Sequence, residues 1–180
     1  METTDKIGWK AKWRIDKFQD AAGEIAKALQ AGTPTDDITG LYGEAFVCRE
    51  EFEANIALNE GLQELIDIIC GLGSPTTWNN ANARLGVGDS NAAEAATQTG
   101  LQATTNKTYK AMDATYPQRT NQTVEWRATF GSGDANHAWE EYTVVNASSD
   151  TGKNLNRKTA SKGTKASGET WVLSVQVSFS

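Results

Sequence analysis

His137 is the only histidine in the 180 residues, so it alone could offer an imidazole for proton transfer or metal ligation. It sits in Asp134-Ala135-Asn136-His137-Ala138-Trp139-Glu140-Glu141, among acidic neighbours but between two strand-like runs, the usual place of a turn residue. A single imidazole excludes the His-rich zinc sites. Cys48 and Cys70 form no CxxC pair, and neither has a histidine nearby in sequence to activate it; they read as free, reduced thiols. Asp134, Glu140 and Glu141 supply carboxylates for glycoside chemistry, yet adjacent residues of a strand point to opposite faces, so Glu140 and Glu141 cannot act as neighbours. Asp89, Asn91 and Glu94 hold oxygens in a polar loop, without the spacing of a calcium-binding helix–loop–helix. Gly71-Leu72-Gly73 and Gly86-Val87-Gly88 lack the further glycines of a nucleotide fingerprint, and Lys162-Gly163-Thr164-Lys165 lacks phosphate-loop spacing. No catalytic residue, cofactor site or metal site is assigned, and the expectation is a protein that is not an enzyme.

The elements that would carry these residues fall into two textures. Trp9, Ala11, Trp13 and Ile15 alternate with Lys10, Lys12, Arg14 and Asp16, the period of a strand with one apolar face. Residues 21–31 favour a short helix, stopped at Gly32-Thr33-Pro34, and 33–43 read as a loop. Over residues 50–70, Phe52, Ile56, Leu62, Leu65, Ile66 and Ile69 recur at intervals that predict one amphipathic helix about 30 Å long. Glu50, Glu51 and Glu53 would sit at its N-terminal turn, and Gly71 to Pro75 would stop it.

After Pro75 the chain turns to short extended runs: 84–88, 124–130, 140–146, 155–159 and 171–179, with turns at 131–134, 148–152 and 162–168. In the last run Trp171, Leu173, Val175, Val177 and Phe179 share a face, and in 124–130 Val124, Trp126, Ala128 and Phe130 do. The expected fold is therefore α+β but mainly β: a C-terminal antiparallel β-sandwich over residues 74–180, preceded over 1–73 by an extended arm and one long amphipathic helix. Trp126 and Trp171 keep step with Val, Leu and Phe, which is core behaviour and argues against a sugar-stacking platform.

Charge divides along the same line, net −7 over residues 1–73 and net +1 over 74–180. Neither part is basic enough to follow a phosphate backbone, which speaks against nucleic acid. A mean hydropathy of −0.53 and the lack of any membrane-length apolar run speak against a membrane. Met1 is followed by polar residues, so no secretory leader is expected. Trp9, Trp13, Ile15 and Phe18 stand as the protein-interface candidates, because their segment has no evident core of its own. On this reading removal of residues 1–20 would leave a folded sandwich that no longer assembles.

The stretch from Leu85 to Ser180 resembles a family of tailed-bacteriophage structural proteins. The resemblance rests on Leu85-Gly86-Val87-Gly88-Asp89-Ser90, Tyr109-Lys110-Ala111-Met112-Asp113, Tyr116-Pro117, Val124-Glu125-Trp126-Arg127-Ala128-Thr129-Phe130, the 135–141 segment, Asn154-Leu155-Asn156-Arg157 and Gly163-Thr164-Lys165 before the terminal strand. Residues 55–62 are similar to the same group. The resemblance implies a jelly-roll-like virion subunit, made in the host cytoplasm, that serves as a capsid decoration or cement protein. Such a subunit is expected to be a trimer bound to the major capsid protein or neighbouring virion subunits, an extended arm reaching across by strand pairing. The alternative it implies is a tail-fibre, baseplate or other appendage component with receptor or glycan contact.

Overall fold

The computed structural model describes residues 8–54 and 56–180. The chain runs β1 (Trp9–Gln19), α1 (Glu24–Gln30), α2 (Thr35–Leu41), β2 (Phe46–Ala54), α3 (Asn59–Cys70), β3 (Arg84–Gly88), β4 (Lys107–Ala111), β5 (Gln118–Thr120), β6 (Thr123–Phe130), β7 (Glu141–Val145), β8 (Asn154–Thr159) and β9 (Glu169–Phe179). Two antiparallel sheets result, one ordered β2-β1-β9-β6-β5 and the other β4-β3-β7-β8. The architecture is mainly β and sandwich-like.

The core lies between the sheets. Trp13, Ile15, Trp126, Phe130, Trp171, Leu173, Val175 and Val177 face inward from the larger sheet, and Leu85, Val87, Tyr142, Val144 and Leu155 meet them from the smaller one. Trp139, on the turn before β7, stands edge-on between Phe130 and Trp171, each ring centroid 4.8 Å away. Each such ring contributes on the order of 1.5–3 kcal/mol by leaving water. The opposite face of the larger sheet has its own small core, Phe18, Ile25, Leu29, Ile38 and Val172, made by laying α1 and α2 against it. Asp20 seats that layer by accepting the Ala26 amide at 2.9 Å and the Thr170 hydroxyl at 2.9 Å.

Three expectations change here. Residues 46–54 form a strand where a helix was expected to begin at 50, so α3 is 12 residues, about 18 Å. The reason is cross-strand: β2 pairs with β1, Trp13 opposite Phe52, and the two rings stack at 6.2 Å. Glu51 and Glu53 pair with Lys12 and Lys10 at 2.7 and 2.8 Å, and so serve as sheet partners instead of a helix turn. Residues 35–41, read as loop, form α2. The extended arm is the second strand of the larger sheet, bonded to β2 on one side and to β9 on the other. The expected 73/74 division therefore separates strands that lie in one sheet. Residues 1–7 of the arm, and Asn55 of the expected helix, lie outside the described residues.

α3 crosses β8 closely because Gly61 has no side chain: a Cβ there would meet the Asn154 carbonyl oxygen and Leu155 Cα, each at 2.6 Å. Gly61→Ala is expected to lift the helix and cost about 1–3 kcal/mol, read from the urea midpoint, with red-shifted tryptophan emission as Trp78 and Trp126 lose their cover.

Candidate functional site

Of the four interface candidates, Trp13, Ile15 and Phe18 are completely buried within this chain, and a partner cannot reach them. Trp9 is half-buried, its ring edge-on to Phe179 at 5.3 Å. A strand completing its own sheet and a strand lent to another molecule share the same period, and here the chain's own β9 provides the partner.

An exposed apolar row lies instead on α3. Leu65 and Ile68 turn inward against the main core. Leu62, Ile66 and Ile69 turn outward with Leu72 just beyond, and are 40%, 55%, 81% and 54% exposed. Positions 62, 66 and 69 share one side of a helix. The acids that would otherwise flank them are drawn inward: Glu60 accepts the Asn154 amide at 2.8 Å, and Glu64 accepts the Thr76 amide at 2.7 Å and the Asn146 side chain at 3.2 Å. The inner edge of the same helix helps wall a cavity of about 380 Å³ at the end of the sandwich, with Leu65, Ile68, Trp78, Trp126, Val177 and Phe179 among its lining residues. Both indole N–H groups are spent, Trp126 on the Trp78 carbonyl at 2.9 Å and Trp78 on the Lys153 carbonyl at 3.1 Å. The rings thus present hydrocarbon and no hydrogen-bond donors to this space.

The residues singled out for chemistry are scattered. His137 lies 3.4 Å from the Thr108 hydroxyl and 2.9 Å from the Ala138 carbonyl oxygen, in a turn. Glu140 accepts the Ser161 hydroxyl at 2.8 Å near the surface, while Glu141 points inward and is buried. Asp134 pairs with Lys110 at 2.6 Å. Cys48 is half-buried and Cys70 exposed. In the polar loop Asp89 accepts from Asn106 at 2.6 Å, and Glu94 takes the Thr159 amide at 2.6 Å, its hydroxyl at 2.9 Å and Lys158 at 2.9 Å. Burial opposes ionisation of Glu94, but these donors outweigh it and hold the carboxyl below the usual range. Glu94 is thus committed to β8, and Asp89 to the far end of its own loop. Among the described residues no three His, Cys, Asp or Glu side chains gather as a metal site.

Sequence reading missed the buried charges. Arg127 and Asp113 pair at 2.8 Å inside the protein, and the guanidinium also donates to the carbonyls of Leu29 at 2.7 Å and Thr33 at 2.9 Å. Arg157 donates to Glu141 at 2.8 Å, to the Ala92 carbonyl at 3.0 Å and to Gln98 at 3.0 Å, while Glu141 accepts the Gln102 and Ala103 amides at 2.8 and 2.7 Å. The first clasp fastens the helical layer to the larger sheet, and the second fastens the long 89–106 connection to the smaller one. On the sequence Arg127 and Arg157 look like outward strand positions; only the α1–α2 layer and the loop make those positions interior.

The fold and this surface define a class, a β-sandwich-like protein that, among its described residues, carries an exposed apolar helix face. Comparison with known protein families, curated proteins and solved structures finds no match for this chain. No helix among the described residues is long and apolar enough to cross a membrane.

Proposed function

We propose that this chain is a non-catalytic structural subunit of a tailed-phage particle, a capsid decoration or cement protein that acts through protein–protein contacts on the head. The observation that carries the reading is the outward row Leu62, Ile66, Ile69 and Leu72, since grouped exposed apolar side chains mark interaction surfaces. The supporting facts are the scattered acids, the imidazole in a turn and the cavity walled largely by hydrocarbon. The jelly-roll-like strand order, the trimeric state and the major capsid protein as partner belong to the same proposal. In it the gripping surface moves from the N-terminal strand to α3, and many weak copies of that contact add up over a shell.

Ile66→Glu combined with Ile69→Glu tests this. Both side chains face solvent, so the fold should keep its stability to about 0.5 kcal/mol. Co-sedimentation with empty capsid shells should show saturable binding of the unchanged chain and none of the double variant. Binding of both alike, or of neither, overturns the reading. Binding to tail components with no effect on shells would favour the appendage alternative.

A further inference from the structure

Lys165 is the most deeply buried amine among the described residues, 1% exposed, and no carboxylate lies within ion-pair distance of it. Its Nζ donates to two neutral oxygens, the Gly131 carbonyl at 2.7 Å and Asn136 Oδ1 at 3.0 Å. A buried ammonium facing only neutral acceptors is costly, and the same amine without its proton is a nucleophile resting on an amide carbonyl. Burial pushes the Lys165 amine down to about 8, with Lys110 adding to the effect and Asp134 and Glu169 opposing it. A neutral, lone-pair-bearing fraction is therefore present under ordinary conditions.

The surroundings hold the two groups together. The turns around 131–137 and 162–168 are zipped by backbone bonds: Trp139 to Gly163 at 2.9 Å, Lys162 to Trp139 at 2.9 Å and Lys165 to His137 at 3.1 Å. Asn136 is aimed by Ala135, a non-glycine residue at φ 51°. The Trp139 indole N–H, bonded to the Ala135 carbonyl at 3.0 Å, fixes that strained position. Asn136 Nδ2 donates to the Ser132 carbonyl at 2.8 Å, which leaves Oδ1 as the atom that meets the amine, at 3.0 Å.

We propose that Lys165 and Asn136 join in an intramolecular isopeptide bond. The Nζ lone pair adds to Asn136 Cγ, and Oδ1 carries the negative charge of the tetrahedral adduct. One Nζ proton passes to Nδ2, the Cγ–Nδ2 bond breaks, and ammonia leaves as the carbonyl re-forms. No oxidant, reductant or further reactant enters. Holding the reacting groups in contact supplies the effective concentration that the uncatalysed step lacks. The product amide removes the buried charge and staples the turn before β7 to the turn before β9.

Intact-mass spectrometry of the purified full chain, after incubation in mildly alkaline buffer, tests this. The expected mass is that of the sequence less one ammonia, with a tryptic species in which the peptides holding residues 136 and 165 are joined. Lys165→Arg and Asn136→Ser should each return the full mass; Asn136 is exposed, so its variant serves even where the lysine variant fails to fold. An unchanged mass overturns the proposal. So does ammonia loss without the joined peptide, or ammonia loss that persists in Asn136→Ser.

Discussion

A chain lacking residues 1–20 will not fold. Removing β1 takes Trp13, Ile15 and Phe18 out of two cores, bares the backbone of β9 along eleven paired positions, and leaves β2 without a neighbouring strand. Replacing Trp13 alone by alanine is expected to cost about 3–5 kcal/mol, against a total stability of roughly 5–15 kcal/mol for an ordinary domain. The truncated chain should show no cooperative urea transition and a collapsed amide spectrum, and Trp13→Ala a midpoint shifted by the stated amount. A cooperative transition in the truncated chain would mean that the strand is dispensable, as the arm reading holds.

The second large effect is expected at Arg127. Arg127→Met removes the guanidinium from Asp113 and from the carbonyls of Leu29 and Thr33, and leaves a carboxylate buried without its cation. Breaking one side of such a pair costs about 3–5 kcal/mol. Burial already pushes the Asp113 carboxyl up, against the pull of Arg127 and of the Thr129 hydroxyl and amide. A carboxyl raised in the folded state favours folding when protonated, so its contribution is present in acid and lost as pH rises through the raised value. The deficit of Arg127→Met should accordingly be smallest at acid pH and grow toward neutrality. Adding Asp113→Asn should recover part of it; equal deficits at both ends of the range would place the loss in the helix-layer carbonyls instead.

What could be read in advance divides along physical lines. β1, β3, β6, β7 and β9 were legible because each buries at least one face and alternates or runs apolar, whereas Asn154–Thr159, with Leu155 as its one apolar residue, was marked out by the turns that flank it. The 107–111 and 118–120 strands were not, since Lys107–Ala111 and Gln118–Thr120 are half-buried or exposed edges whose only cue is a neighbour to bond. The 50–70 segment failed because Phe52 and Ile56 satisfy a helical interval, while the pairing of Glu51 and Glu53 with Lys12 and Lys10 is a relation between distant segments. The candidate site failed similarly. Leu62, Ile66 and Ile69 were recognised as an apolar row, but which side of α3 meets the sheet depends on Gly61 seated on Leu155, and no local pattern shows that.

The registration of Trp9 against Phe179 carries a consequence for biosynthesis. β1 is made before the other described strands, yet β9, one of its two partners, is made after all of them. A contact so distant in sequence pays its closure entropy late. The larger sheet can therefore close only once β9 has been made, and until then β1 has β2 alone beside it.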